Sequence, residues 1–277
     1  MIIWLASYPK SGNTWVRLFL NSLLYTKNNS VDINDIKIGQ FPSKEFFKDL
    51  TKNTNDVGQV IQNCIKAQIE LNTGKNIRIF KTHNAFWKAK GGHVFTNSEN
   101  TLGIIYIVRD PRNIITSMNA HFNFNDYNKS LKFILNEKNI IGDRKSEKNY
   151  NLPTIISSWK NHYNSWTKAG EFKKKLLLIK YENLISEPEI EFVKITNFLN
   201  KIANLKFEDK DIKKAIENTN FSVLKKQEKL NGFKERIGST DFFNLGPNNN
   251  WKKILNDKIR EKIEENFRKE MEELNYL

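Results

Sequence analysis

A short apolar run at the start of the chain, followed by a polar turn and an amphipathic segment, most constrains the fold. Residues 2–6 are all apolar, which is typical of a strand buried on both faces of a parallel sheet. Residues 7–13 form a polar turn with Gly12, and residues 14–25 carry apolar side chains at helical spacing. A strand, tight loop and helix in this order direct backbone N–H groups at whatever the loop holds.

The rest of the chain alternates between short apolar runs and longer segments with helical spacing. Further strands are predicted at residues 78–81, 102–108 and 176–180. Helices are predicted at residues 57–71, 112–120, 153–169, 188–199, 210–218 and 251–274. This alternation predicts an α/β fold with a central parallel sheet flanked by helices on both faces. Since no shift in composition marks a boundary, residues 1–277 are expected to form a single domain.

Polar stretches without such a pattern separate these elements. Residues 28–56 are interpreted as loop with a short helix, and residues 84–101 as irregular. Residues 123–151 are ambiguous between classes of secondary structure. Residues 225–250 form a Gly- and Asn-rich segment whose role the sequence leaves open.

Composition and charge restrict the class of protein. Hydrophobic residues make up 39% of the chain and aromatic residues 12%, which is enough for a sizeable core and argues against disorder. The net charge of +14 favours anionic partners such as nucleotide phosphates, sulfated sugars, nucleic acid or membrane headgroups, without choosing among them. The single cysteine, Cys64, excludes an internal disulfide, and the scattered histidines give no reason to expect a metal site.

The apolar segments also bear on location. No stretch reaches the ~20 apolar residues that a membrane helix needs. The first apolar run lacks a basic leader and is too short for a signal peptide. We therefore expect a cytoplasmic protein without a membrane span, and the sequence leaves its oligomeric state undetermined.

The first loop, residues 7–15, contains the groups that a phosphate requires. Gly12 permits close approach, Lys10 supplies a cation, and Ser11 and Thr14 supply hydroxyl groups. The loop differs from a Walker A motif because its lysine precedes the glycine and no Gly-Lys-Ser/Thr follows. The alternative interpretation is an ordinary turn from a strand to a helix.

Two further strand ends carry polar side chains. Arg109 ends the central predicted strand and can bind a phosphate bidentately, and Ser117 lies about two turns into the next helix. Lys81 and His83 follow another strand, where Lys81 would lower the imidazole pKa and favour the free base that removes a hydroxyl proton. Alone, Arg109 could pair with Asp110 and His83 could be structural. Together, these strand ends predict a ligand site beyond the carboxyl edge of the sheet.

These segments resemble the cytosolic-type sulfotransferases that use 3′-phosphoadenosine-5′-phosphosulfate (PAPS). Residues 8–15, Tyr-Pro-Lys-Ser-Gly-Asn-Thr-Trp, are similar to the family's 5′-phosphosulfate loop, YPKSGTTW, with Asn13 in place of the usual Thr. Residues 81–83, Lys-Thr-His, resemble the KTH whose histidine is the family's catalytic base. Arg109 and Ser117 have the spacing of the pair that binds the 3′-phosphate.

Further matches extend the resemblance over nearly the whole chain. Segments similar to the family's phosphosulfate loop, YEDL and TSF elements imply contacts with adenine from Trp15, Tyr181, Thr219 and Phe221. Arg236 and Gly238 resemble the Arg and Gly of the family's RKG motif and are implied to bind the 3′-phosphate. The Lys of that motif is lost here, and the spacer after it is longer.

The resemblance implies a P-loop-like three-layer sandwich and a sulfotransferase. Such an enzyme moves a sulfuryl group from PAPS to an acceptor hydroxyl by in-line displacement, leaving adenosine 3′,5′-bisphosphate. His83 is implied to take the acceptor proton, Lys10 to meet charge on the bridging oxygen, and Lys81 to hold a sulfuryl oxygen. The residues implied to bind the 5′-phosphate are Ser11, Gly12, Asn13 and Thr14. No metal is implied, since lysines supply the positive charge.

The sequence leaves the acceptor and two alternative functions open. Aromatic candidates for the acceptor pocket are Phe86, Trp87, His121, Phe122 and Phe124. They suit an alcohol, a phenol or a sugar, so we expect a small-molecule or carbohydrate acceptor. One alternative is a P-loop nucleotide kinase, which the Lys-Thr-His segment disfavours. The other is a basic nucleic-acid-binding protein, but no strand face combines aromatic and lysine side chains, so we expect no nucleic-acid partner.

Overall fold

The computed structural model describes residues 1–26, 31–74, 76–122, 124, 126–142 and 152–277. The strands in these ranges are β1 (Ile2–Ser7), β2 (Arg78–Thr82), β3 (Thr101–Val108), β4 (Ile140–Ile141), β5 (Thr154–Ile155) and β6 (Leu176–Lys180). Four of them form a parallel sheet in the order β2-β1-β3-β6. The short strands β4 and β5 form a separate antiparallel pair.

Helices cover both faces of this sheet. They are α1 (Asn13–Tyr25), α2 (Lys44–Phe47), α3 (Val57–Asn72), α4 (Pro111–His121), α5 (Tyr127–Leu135), α6 (Trp159–Thr167), α7 (Tyr181–Ser186), α8 (Pro188–Ala203), α9 (Asp209–Asn218), α10 (Phe221–Asn231) and α11 (Asp257–Glu273). Within the described ranges, no helix combines the length and the apolar character needed to cross a bilayer.

The central strand β1 is buried along its whole length, and its side chains alternate between two cores. Trp4 packs into a cluster built with α3, α4, α6 and α11. Leu5 packs into a second cluster on the opposite face, built with α1, α8 and α9. This period-two alternation sandwiches the sheet between two helical layers. The predicted α/β fold with a helix-flanked parallel sheet is confirmed.

The register of the sheet brings three strand ends to one edge. Ala6 lies opposite Thr82 of β2, and Ser7 lies opposite Ile107 of β3. Because the strands are parallel, the residues that come after β1, β2 and β3 emerge at the same carboxyl edge. The sheet thereby places the loop after Ser7 beside His83 and Arg109.

The strand predictions are confirmed, but only the second part of the helix predicted over residues 153–169 forms, as α6 (Trp159–Thr167). Its first part is extended in β5, where the Ile155 N–H donates to the Asn84 side-chain oxygen at 2.9 Å. Ser157 then adopts a left-handed φ of 59°, and Ser158 caps the start of α6. A side-chain partner distant in sequence thus replaces the hydrogen bonds of the expected first helical turns.

The segments around the C-terminal helices also differ from prediction. Instead of one helix over residues 251–274, a 3₁₀ turn at Trp251–Lys253 precedes α11, which begins after the capping side chain of Asn256. The Gly- and Asn-rich stretch at 225–250 begins inside α10, whose cap is Asn220. Asparagine side chains that accept from backbone N–H groups set these boundaries.

Two polar stretches are only partly described. The ambiguous stretch 123–151 contains α5 and β4, while residues 123, 125 and 143–151 lie outside the described residues. The stretch 28–56 contains the expected short helix, α2, and its residues 28–30 likewise lie outside.

We predict that Leu199→Ala lowers the free energy of unfolding by about 2–5 kcal/mol, because Leu199 on α8 is fully buried in the second core. Leu230→Ala on α10 is the matched control, since Leu230 is 72% exposed and its loss should change stability by less than about 0.5 kcal/mol. Urea unfolding of the two variants measures both values. Equal losses would contradict the packing of α8 on the sheet.

Candidate functional site

The loop between β1 and α1 has the backbone of an anion-binding loop. Lys10 and Gly12 both have left-handed φ values, 67° and 96°, which turn the chain sharply from the strand into the helix. Gly12 is the N-cap of α1 and has no side chain to cover the helix end, so the first backbone N–H groups and the positive end of the helix dipole face the cavity. The ring of Tyr181 lies directly on Gly12 and leaves no room for a Cβ.

The side chain of Asn13 anchors this loop to β1. Its amide donates to the Leu5 carbonyl at 3.0 Å and to the Ser7 hydroxyl at 3.1 Å. Asn13, which stands where the family loop usually has Thr, therefore stabilises the loop through its side chain. Its backbone N–H remains at the first position of α1, where it can serve an anion.

Arg109 joins the end of β3 to the same loop. Its guanidinium donates to the Lys10 carbonyl at 2.9 Å and lies 4.2 Å from the centre of the Tyr181 ring. The alternative pairing of Arg109 with Asp110 is not present, because Asp110 has other partners. Asp110 caps α4 and pairs with Arg112, which leaves Arg109 directed to the loop. Ser117 on α4 lines the same cavity.

The geometry around His83 specifies its tautomer. Nδ1 lies 2.7 Å from the Ser7 carbonyl oxygen, which can only accept, so Nδ1 carries the proton and Nε2 keeps a lone pair. Burial, with a further contribution from Lys81, lowers the pKa of His83 to about 3. The imidazole is therefore neutral at physiological pH, in the direction that the neighbouring lysine predicted.

Lys10 places its amine inside the cavity, 4.3 Å from the centre of the Phe242 ring. Burial, together with repulsion from Arg109 and Lys81, lowers the pKa of Lys10 to about 7. An anion bound beside this amine would offset the repulsion from Arg109 and Lys81 and would therefore raise the pKa of Lys10.

Arg17 and Glu235 belong to the site and were missed by sequence reasoning. Arg17 donates to Glu235 at 2.6 Å, and Lys81 lies 3.4 Å from the other carboxylate oxygen. Arg17 stands three residues after Thr14, so its helical spacing from the loop was a usable signal. Glu235 lies in the charge-rich Gly/Asn segment, where nothing in the sequence distinguished it.

These side chains surround a cavity of about 990 Å³. It brings together most of the predicted site residues, namely Lys10, Gly12, Asn13, Thr14, Trp15, Lys81, His83, Arg109, Ser117, Tyr181 and Phe221. The volume is at the upper end for ligand pockets and suits a nucleotide together with a second substrate.

Four predicted site residues do not line this cavity. Ser11 is fully buried in the loop, and the Thr219 hydroxyl donates to the Ala215 carbonyl at the end of α9. Arg236 turns back on its own segment and donates to the Gly238 carbonyl at 3.1 Å and to Asp241. The side chain of Arg236, which was expected to bind the 3′-phosphate, therefore points away from the cavity, and Gly238 is the fourth residue that does not line it.

Buried polar atoms at the loop test whether an anionic ligand fits. Within the described part of the chain, five buried atoms of residues 10–17 and Arg109 lack a hydrogen-bond partner: Ser11 Oγ, Asn13 Oδ1, Trp15 Nε1, Arg17 Nε and Arg109 Nε. Buried polar groups in folded proteins are nearly always hydrogen-bonded. A ligand rich in acceptor oxygens suits four of these atoms, because they can donate, whereas Asn13 Oδ1 can only accept.

The predicted aromatic walls divide into two groups. His121 and Phe122 line the cavity, where they join Phe242. Phe86 does not line the cavity, because it packs in the core. Its ring centre lies 5.7 Å from that of Trp166 and 5.0 Å from that of Phe172. Trp87 and Phe124 do not line the cavity either. Trp87 packs against Phe95, and Phe124 stacks on Phe122.

Comparisons with known proteins point to one family. The family model described as a sulfotransferase domain matches residues 2–275. Mouse sulfotransferase 1 family member D1 is 26% identical over 98% of this chain and 83% of its own length. Cytosolic sulfotransferase 8 of Arabidopsis thaliana is 21% identical over 94% of this chain and 73% of its own length.

Solved structures share the fold at lower identity. Mouse sulfotransferase SULT7A1 complexed with PAP superposes with a TM-score of 0.61 at 21% identity, covering 98% of this chain and 84% of its own. Retinol dehydratase in complex with androsterone and the inactive cofactor PAP superposes with a TM-score of 0.64 at 15% identity. This match covers 98% of the present chain and 80% of retinol dehydratase. The sheet and its flanking helices are therefore those of a known P-loop-like architecture.

We predict that Gly12→Ala destabilises the protein more than Gly92→Ala. Both glycines have positive φ, which costs a residue with a Cβ about 1–2 kcal/mol. A Cβ at Gly12 would also lie 2.8 Å from Tyr181 Cε2, whereas a Cβ at Gly92 meets nothing within 4 Å. Urea unfolding should show the additional loss, of about 1–3 kcal/mol, at Gly12 alone. Equal losses at both positions would refute the close contact with Tyr181.

Proposed function

Because this chain belongs to the sulfotransferase family, we propose that it transfers a sulfuryl group from PAPS to the hydroxyl of a small-molecule or carbohydrate acceptor. The observation that carries the proposal is the convergence of three strand ends on one cavity. There the cationic side chains of Lys10, Lys81 and Arg109 surround a neutral His83 with a free Nε2. The family membership favours this function over the nucleotide-kinase alternative.

The donor fits the loop edge of the cavity. The backbone of residues 10–14 and the start of α1 suit the 5′-phosphate, and Arg109 with Ser117 suits the 3′-phosphate. Trp15, Tyr181 and Phe221 supply aromatic surface for the adenine. PAP is adenosine 3′,5′-bisphosphate, the product of this donor, and its presence in the complexes of the solved neighbours is consistent with the proposal. When bound, PAPS supplies the sulfuryl group, and adenosine 3′,5′-bisphosphate is the product.

His83 is proposed to accept the proton of the acceptor hydroxyl at Nε2. The hydrogen bond from Nδ1 to the Ser7 carbonyl holds the ring and leaves only Nε2 to act. A pKa of about 3 makes the imidazole a weak base in the free protein. Anionic groups beside the ring raise the pKa of a histidine, so the site becomes more basic as negative charge enters it.

Lys10 and Lys81 are proposed to stabilise negative charge during transfer, Lys10 at the bridging oxygen and Lys81 at a sulfuryl oxygen. Both amines approach from rigid elements, the loop after β1 and the end of β2. Because donors held by such elements need no rearrangement, they favour the transition state more than flexible ones do. Positioned cations supply the charge that a metal provides in many phosphoryl transfers.

The acceptor is proposed to enter beside His121, Phe122 and Phe242. These aromatic rings suit a hydrophobic alcohol, a phenol or the apolar face of a sugar. Solved structures of retinol dehydratase contain androsterone or retinol together with PAP. The cytosolic relatives support a location in the cytoplasm.

We predict that His83→Ala lowers turnover by about 10²–10⁴-fold while adenosine 3′,5′-bisphosphate still binds, because the variant loses only the base. Turnover is measured with sulfur-labelled PAPS against a panel of alcohols, phenols and sugars, and binding by titration calorimetry. His93→Ala is the matched control, since His93 does not line the cavity. Wild-type turnover in His83→Ala would remove His83 from the mechanism, and failure of the wild type to bind the nucleotide would refute the proposed function.

We predict that binding of adenosine 3′,5′-bisphosphate takes up close to one proton at about pH 8 and far less at about pH 6, where Lys10 already holds its proton. The reason is that the pKa of Lys10 is about 7 in the free protein and rises when an anion arrives. Calorimetry in buffers of different ionisation enthalpy measures the uptake. Lys10→Met should abolish it and Lys252→Met, an exposed position, should not. Unchanged uptake in Lys10→Met would show that another group titrates.

A further inference from the structure

A carboxylate of the protein itself forms ion pairs with two buried cationic side chains in the cavity. Arg17 on α1 is 6% exposed at its side chain and Lys81 at the end of β2 is 10% exposed. The two oxygens of Glu235 bind them separately, at 2.6 Å from Arg17 and 3.4 Å from Lys81. The cations belong to the rigid core, whereas the carboxylate comes from the segment at residues 232–245 between α10 and the next 3₁₀ turn.

The Arg17–Lys81 pair has the properties of an anion subsite rather than of a closed structural ion pair. Both side chains line the cavity that also contains Lys10 and His83. The buried Nε of Arg17 has no hydrogen-bond partner in the part of the chain that the structure describes. A guanidinium can form two parallel bonds with an oxyanion, and Glu235 uses only one nitrogen.

The carboxylate is ionised at physiological pH. Burial raises the pKa of Glu235, but Lys81 and Arg17 outweigh that effect and lower the pKa to about 2. A second anion therefore cannot enter the subsite beside Glu235 without strong repulsion in a partly desolvated cavity. Either the anion stays away or the carboxylate leaves.

The segment that carries Glu235 is held at its ends, and no residue between the two anchors is fully buried. Phe233 and Phe243 are buried together with Leu18 and Leu224 in a third apolar cluster. Between these two anchors, Ile237 is 70% exposed. The anchors can stay in place while Glu235 moves, because the residues between them have few buried apolar side chains to hold them.

Building on the proposed function, we propose that Glu235 is an internal substitute for the sulfonate of the donor. On binding of PAPS, the carboxylate leaves Arg17 and Lys81, and the sulfonate takes its place. Arg17 is then a donor-binding residue in addition to those of the strand ends. The product lacks the sulfonate, so Glu235 keeps or regains its place when adenosine 3′,5′-bisphosphate is bound. The exchange thereby determines how well the protein distinguishes donor from product.

The test compares the affinities of PAPS and adenosine 3′,5′-bisphosphate, measured by calorimetry without acceptor. Glu235→Gln keeps the size of the side chain and removes its charge, so it should tighten PAPS binding by about tenfold or more. Binding of adenosine 3′,5′-bisphosphate should change much less. Asp241→Asn is the matched control, because Asp241 is a carboxylate on the same segment that pairs with Arg236 instead. It should leave the ratio of the two affinities unchanged.

Each other outcome decides against the exchange. An unchanged or reduced preference for PAPS in Glu235→Gln would show that Glu235 only positions Lys81, and lower turnover with unchanged affinities would show the same. Glu235→Ala is the second variant and should shift the preference in the same direction. If neither variant folds in thermal melts, Glu235 is a structural counter-ion and the exchange is refuted. If the wild type binds neither nucleotide, the proposed function itself fails.

Discussion

The pairing of β1 between β2 and β3 is the interaction on which the rest of the molecule depends. Every residue of β1 is buried and the strand is hydrogen-bonded on both sides, so its end is held firmly in space. The Ser7 carbonyl at that end orients His83, and the loop after it receives Arg109 from β3. A shift in register would separate these groups, because each is attached to a different strand.

The second constraint is the crowding of positive charge at this edge. Lys10, Lys81, Arg17 and Arg109 lie around one cavity, and burial among like charges lowers the pKa of both lysines. Such an arrangement is unfavourable in the free protein unless an anion compensates it. Glu235 supplies part of that compensation, and an anionic donor is suited to supply the rest. The positive charge that opposes folding is therefore the charge that we propose attracts the donor.

The fold and the strand-end residues were largely predictable because local patterns encode them. Apolar runs indicated β1, β2, β3 and β6, and parallel strands place the residues after their carboxyl ends at one edge. The errors occurred where side chains override local preference. Asn84 holds Ile155 in an extended conformation, and asparagine caps divide the C-terminal helices. Phe86 was predicted to line a pocket, but a strand end can also direct a nearby residue into the core.

By itself, the sequence determined the α/β architecture, the glycine-containing turn from the first strand into the first helix, and the residues at the strand ends, because these depend on neighbours along the chain. Only the tertiary structure decided that Nε2 of His83 is the free nitrogen, that Arg236 turns away from the cavity, and that Glu235 lies between Arg17 and Lys81. These features join residues up to 218 positions apart. Such contacts are set by the packing of whole elements, which no local pattern of residue types encodes.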